Sequence, residues 1–201
     1  AMLSAMIHSI RQADPKASIT VISGHPDDTA RTFGTPAIHR FSPFALLRGI
    51  LCSDVVISGG GSLLQDVTSR RSIYYYLSIM AAGILLGKKV FLYAQGIGPV
   101  KSMKTRRILK LVLDHVSAIT VRDEFSRDFL TDLGVKTPVE VTADAVLSLP
   151  VSSPEKGKNI LREAGVPAAK KIIALCVRKW GDTARLARAF RSYVKAVTET
   201  G

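Results

Sequence analysis

Short apolar runs alternate with amphipathic helical segments along most of this chain, and that alternation leaves few folds open. "SITVISG", "DVVISGGG", "KKVFLYAQ", "AITVRD" and "VEVTADAVL" are rich in β-branched residues and apolar on both faces. "MLSAMIHSIRQ", "DDTARTFG", "FALLRGILCS", the segment 73–86, "MKTRRILKLVLDHVS" and "EFSRDFLTDLG" separate them with helical spacing. Strands apolar on both faces belong to a parallel sheet covered on both sides. The predicted class is therefore α/β, a Rossmann-like doubly wound parallel sheet.

Local signals fix the punctuation. Asp14-Pro15 stops the first helix, and Ser42-Pro43 places an N-cap and an N1 proline. Ser102 caps the basic helix, Asp123 caps the next, and Gly87 and Gly134 close helices. Near residue 148 the style changes. "SLPVSSPEKG" reads as a linker, followed by helix "KNILREAG", strand "KKIIALCVRKW" and helix "DTARLARAFRSYVKAV". Residues 1–149 are thus an N-terminal Rossmann-like domain without a recognisable opening strand. Residues 150–201 are a linker and the start of a second domain. One strand and two helices do not close a core, so a fragment is expected.

Composition narrows the partners. The 201 residues carry a net charge of +12, which favours anionic ligands or surfaces. "SIYYYLSIMAAGILLG" has an uncharged core too short for a bilayer, which takes about 20 residues, and is expected as a buried helix. Cys52 and Cys176 sit far apart in apolar contexts, as buried thiols would.

In doubly wound folds ligands bind at the carboxyl ends of the strands. Four successive strand ends here are glycine-rich or polar: "SGGGSLLQD", "AQGIGP", "RD" and "TADA". Gly59, Gly60 and Gly61 can aim backbone N–H groups at an anion, with Gln65 and Asp66 orienting a hydroxyl or taking a proton. The alternative is a glycine turn needed only for packing. Arg122 offers a planar fork for phosphate or carboxylate; otherwise it pairs with a neighbouring acid while Asp123 caps a helix. The spacing fits neither the dinucleotide fingerprint nor a P-loop. "GHPDDT" resembles the first metal motif of zinc-dependent deacetylases, but Thr29 stands where that family has Glu and no later His pair follows. A helix-capping turn is expected instead, with no metal.

"KSMKTRRILK" brings together Lys101, Lys104, Arg106, Arg107 and Lys110 without an acid. Ile108, Leu111 and Val112 are expected to mark its buried side. A solvated face is one reading, and contact with anionic lipid head groups is the other. The aromatic residues sit apart from the cations, which disfavours nucleic acid.

"ISGGGSLLQD", "AQGIGP", "VRDEFS" and "TADAVLSLP", in this order and spacing, resemble the polysaccharide pyruvyl transferase family. The likeness extends to the bacterial cell-surface-anchoring type that modifies secondary cell wall polymer. It covers residues 1 to about 195. The resemblance implies a two-domain glycosyltransferase-B-like architecture. It also implies transfer of pyruvate from phosphoenolpyruvate onto an N-acetylmannosamine-type sugar of a lipid-linked precursor, as a ketal, without a cofactor.

It implies a cytoplasmic protein, peripheral at the inner face of the plasma membrane. Asp66 and Arg122 are then the catalytic candidates. Gly59, Gly60, Gly61, Gln65, Gln95, Gly96, Asp123, Asp144 and Arg178 are the substrate-binding candidates. Family members also carry an opening strand with a glycine-rich loop, and a second domain with an Arg-Leu-His-type motif that supplies the general acid. Neither matches a segment here, so half an active site is expected. A sugar-nucleotide glycosyltransferase of the same architecture, and a non-catalytic anion- or lipid-binding module, are the alternatives.

Overall fold

The computed structural model describes residues 1–66, 70–166, 172 and 183–199. The chain divides into two compact units, Ala1–Pro150 and Val151–Gly201.

The first unit begins with α1 (Met2–Ala13), β1 (Val21–Ser23), α2 (Pro26–Phe33), β2 (Ala37–His39) and α3 (Pro43–Leu51). It continues with β3 (Val55–Gly59), α4 (Arg70–Leu85), β4 (Lys89–Gln95), α5 (Met103–Leu113), β5 (Ala118–Val121), α6 (Glu124–Asp132) and β6 (Val139–Val141). β1 and β2 form a two-stranded parallel sheet, and β3-β4-β5-β6 form a four-stranded one, parallel throughout. The α/β parallel architecture expected from the alternation is present.

The main core lies between one face of the larger sheet and the crossover helices. Val56, Val90, Leu92, Ile119 and Val121 meet Ile73, Leu77 and Met80 of α4, Leu109 and Leu113 of α5, and Leu130 of α6. Burying a side chain of this kind is worth about 1.5–3 kcal/mol. α4 buries one face in this core, while Arg71, Tyr74, Ser78 and Leu85 stay exposed, so it is an amphipathic helix and not the wholly buried one expected. A smaller cluster joins Ala5 of α1 to Ala94 and Ala145, with Met6, Tyr93 and Leu149 against it. Alanines let the helix backbone approach the sheet closely.

β4 carries a bulge that matters for the site. Ala94 has φ +48°, and the pairing with β5 shifts between Leu92 and Gln95. The displaced Ala94 N–H donates to Thr120 Oγ1 at 2.8 Å, which replaces the lost ladder bond. Bulges re-aim the residues after them.

Several expectations need correction. β6 ends at Val141 and gives way to a short 3-10 helix, Ala145–Ser148, because Asp144 Oδ1 accepts the Val146 N–H and starts a turn. In the second unit, α7 (Pro154–Glu163) begins inside the segment read as linker, with Ser153 as cap and Pro154 at N1. On α5 the buried side is Thr105, Leu109, Val112 and Leu113, whereas Ile108 is 40% and Leu111 62% exposed. Cys52 is exposed at the end of α3, not buried. α8 spans Thr183–Glu199. The strand expected around 171–181, with Cys176 and Arg178, lies outside the described residues. Among the described residues no helix is long and apolar enough to cross a membrane.

Candidate functional site

The carboxyl ends of β3 to β6 are laced by backbone hydrogen bonds beyond the strands themselves. Gly96 N–H donates to Gly61 O at 2.9 Å, Arg122 N–H to Gln95 O at 3.1 Å, and Thr142 N–H to Val121 O at 2.7 Å. Leu64 and Ile97 form a further parallel bridge. The loops after the strands are therefore held side by side.

Arg122 ties these loops with its side chain. Nη1 donates to Asp144 Oδ2 at 3.0 Å and Nη2 to Ser62 Oγ at 3.0 Å, while Nε stands 3.5 Å from Asp123 Oδ2. The guanidinium passes directly over Gly96. A β-carbon there would lie 2.8 Å from Arg122 Nε and 2.9 Å from both Arg122 Nη2 and Ser62 Oγ. Gly96 is thus needed for the path of Arg122. The Arg122 side chain keeps 30% of its surface exposed. A guanidinium has five N–H donors. Asp144 and Ser62 each take one, which among the described residues leaves one on each Nη.

Asp123 faces the same cluster from the other side. Its Oδ1 accepts from Ser126 N and Ser126 Oγ, at 2.8 and 2.7 Å, as the N-cap of α6. Burial pushes its carboxyl up. The Ser126 hydrogen bonds and the Arg122 charge outweigh that and hold it below the ordinary value of 3.8. Ser126 is itself buried and accepts the Ile97 N–H at 2.9 Å, which pins the "AQGIGP" loop to α6. Gln95 is fully buried. Its Nε2 donates to Ser58 Oγ at 3.0 Å, and its Oε1 has no hydrogen-bond partner among the described residues. An unsatisfied buried acceptor costs about 1–3 kcal/mol.

The glycine triplet does not act as a unit. A β-carbon on Gly59 would meet Met6 Cε, and one on Gly60 would meet Met2 Sδ, so α1 fills the space those residues leave. The Gly60 N–H also donates to Tyr93 O at 3.1 Å. Only Gly61, at φ +67°, has open space beside it, the nearest atom lying 3.9 Å away on Leu63. Asp66 sits further along the loop. Its carboxylate accepts the N–H groups of Lys101 and Ser102, at 2.9–3.0 Å, and so fixes the start of α5. Gln65 is half-buried beside it.

The structure thus brings together Arg122, Asp123, Asp144, Gly96 and the Gln95 backbone, and places Asp66 at the entry to α5. Ser62 and Ser126 are polar partners that the sequence did not single out. A serine after a glycine run carries no signal of its own. At the other end of the sequence, His25 is the N-cap residue of α2, and Asp27 and Asp28 lie in its first turn, where Arg31 pairs with Asp28. Among the described residues no group of three His, Cys, Asp or Glu side chains could hold a metal ion.

A parallel α/β sheet with helices between its strands defines a protein of the Rossmann-like class, and the charged, glycine-lined cluster lies at the carboxyl edge of that sheet. The family model described as polysaccharide pyruvyl transferase matches residues 1–201, and the chain belongs to that family of transferases. No curated protein and no solved structure matches it.

Proposed function

We propose that this chain takes part in moving pyruvate from phosphoenolpyruvate onto a sugar of a lipid-linked cell wall precursor, as in the cell-surface-anchoring branch of the family. The observation that carries this reading is the Arg122 guanidinium held by Asp144 and Ser62 at the strand ends, with one N–H on each Nη not taken by any described residue.

Ketal formation adds a proton to the enol carbon, joins two sugar hydroxyls to the neighbouring carbon and expels phosphate. The two hydroxyl protons balance the new methyl hydrogen and the departing phosphate. The donor's carboxylate and phosphate need directed cationic or N–H donors. Arg122 provides the fork, and Gly61 is the position where an anion can approach the backbone. Asp123 and Asp144 offset part of the Arg122 charge and set its orientation. Asp66 is assigned the acceptor hydroxyl, its position fixed by the Lys101 and Ser102 amides. Gln95 supports the loop from beneath. No cofactor is required by this scheme. With a cytoplasmic donor and a lipid-linked acceptor, this reading has the protein work at the inner face of the membrane.

The test is thermal unfolding with ligands. Phosphoenolpyruvate should raise Tm, since a ligand at 100 times its Kd adds about 2.7 kcal/mol. Nucleotide sugars should not. Stabilisation by nucleotide sugars alone would replace this reading with glycosyl transfer.

A further inference from the structure

The outer face of α5 combines exposed apolar and basic side chains. Met103 is 63%, Leu111 62% and Ile108 40% exposed. Lys104 and Arg107 alternate with them, and Lys101 precedes them. Met103, Arg107 and Leu111 are spaced by four residues and lie in one line along the helix. On neighbouring α4, exposed Arg71 lies one turn before Tyr74, whose hydroxyl meets Thr105 Oγ1 of α5 at 3.0 Å.

Two basic residues of the same stretch are engaged within the protein. Arg106 donates to Val100 O at 2.7 Å and stacks on Phe129, while Lys110 pairs with Asp114 at 2.7 Å. On adjacent α6, Glu124 and Asp128 are paired with Arg127. The outward cations Lys101, Lys104 and Arg107 therefore stand among exposed apolar groups, with the Asp114 carboxylate already matched.

We propose that this face of α5 docks on an anionic lipid bilayer. Exposed apolar side chains interleaved with cations fit the boundary between head groups and acyl chains. Met103 and Leu111 add to the cations the apolar component that such a boundary accepts. A surface for single-stranded nucleic acid would want stacking aromatics among the cations instead. The link to the site is short and hydrogen-bonded: the Asp66 carboxylate accepts the backbone N–H groups of Lys101 and Ser102, where α5 begins. Docking would hold the strand-end cluster at the membrane, within reach of the lipid-linked acceptor assigned above. The purpose of docking rests on that assignment; the docking itself does not.

Co-sedimentation with vesicles tests it. The 201-residue chain is mixed with phosphatidylcholine vesicles, with and without phosphatidylglycerol, and with duplex DNA. Binding is expected only where phosphatidylglycerol is present. Lys101→Glu/Lys104→Glu/Arg107→Glu should weaken it on the order of 100-fold at low salt, at about 1 kcal/mol per basic residue. Met103→Ser/Leu111→Ser should weaken it on the order of tenfold, and that loss should persist at high salt, where screening removes the charge effect. Far-UV circular dichroism checks that each variant is folded. Indifference of the wild type to phosphatidylglycerol, equal binding by both variants, or binding to DNA alone would overturn the proposal. Phosphoenolpyruvate stabilisation is measured on the same samples. Its absence would count against the donor assignment and leave the vesicle result standing.

Discussion

Gly96 lies directly beneath the guanidinium of Arg122, so close that a single added carbon would stand 2.8 Å from Nε. The atoms it would strike, Arg122 Nε and Nη2 and Ser62 Oγ, are side-chain tips that can move. Gly96→Ala should therefore fold, with a Tm change of a few degrees, while displacing Arg122 from Asp144 and Ser62. Phosphoenolpyruvate affinity should fall about tenfold, the value of a disturbed charged hydrogen bond. Calorimetric titration beside thermal unfolding checks both halves.

A second expectation separates packing from anion binding in the glycine run. Gly59→Ala would drive a β-carbon into Met6 Cε and Sδ, an overpacking cost of about 1–3 kcal/mol. Met6→Ala alone should destabilise by leaving a gap under α1. The double variant should recover part of the Gly59→Ala loss, with a coupling of about 0.5–3 kcal/mol in denaturant unfolding. Strict additivity would mean that Gly59 serves something other than α1.

The Asp123 cap gives a pH prediction. Its folded carboxyl lies below the ordinary value of 3.8, so the stability it contributes is present above that value and is lost as pH falls through the folded one. Asp123→Asn keeps a capping oxygen and should flatten this part of the acid-unfolding curve. Asp123→Ala should cost about 1 kcal/mol near neutral pH through loss of the cap. Unfolding midpoints across the acid range read both.

The architecture was legible because its signals are local and periodic. "VVIS", "VFLYA" and "AITV" announce strands, although only one face of β3 is buried, Val55 and Ile57 being 43% and 37% exposed, and Ser102 and Asp123 announce helix starts that their side chains do cap. What escaped depends on long-range geometry. A 3.6-residue period assigns Ile108 and Leu111 to the core of α5, but the core meets Thr105, Leu109 and Leu113 instead, rotated around the helix. The polar Thr105 is buried because Tyr74 supplies a partner for its hydroxyl.

In the site, Arg122 and Asp144 were visible as strand-end residues. Their pairing was not, because 22 positions separate them. Ser62 becomes meaningful only once the Arg122 side chain crosses Gly96 to reach it. The glycine triplet suggested an anion cradle, yet two of its members make room for Met2 and Met6 across the sheet face.

The most direct measurement is calorimetric titration of phosphoenolpyruvate into the wild type, Arg122→Ala and Arg122→Lys, each verified as folded. If the Arg122 fork holds the donor, alanine should weaken binding about 10- to 150-fold, corresponding to the roughly 1.5–3 kcal/mol of a charged hydrogen bond. Lysine should restore only part of it, since an ammonium lacks the planar fork. Equal affinities in all three proteins would contradict the account and leave Arg122 as a strut between Ser62 and Asp144.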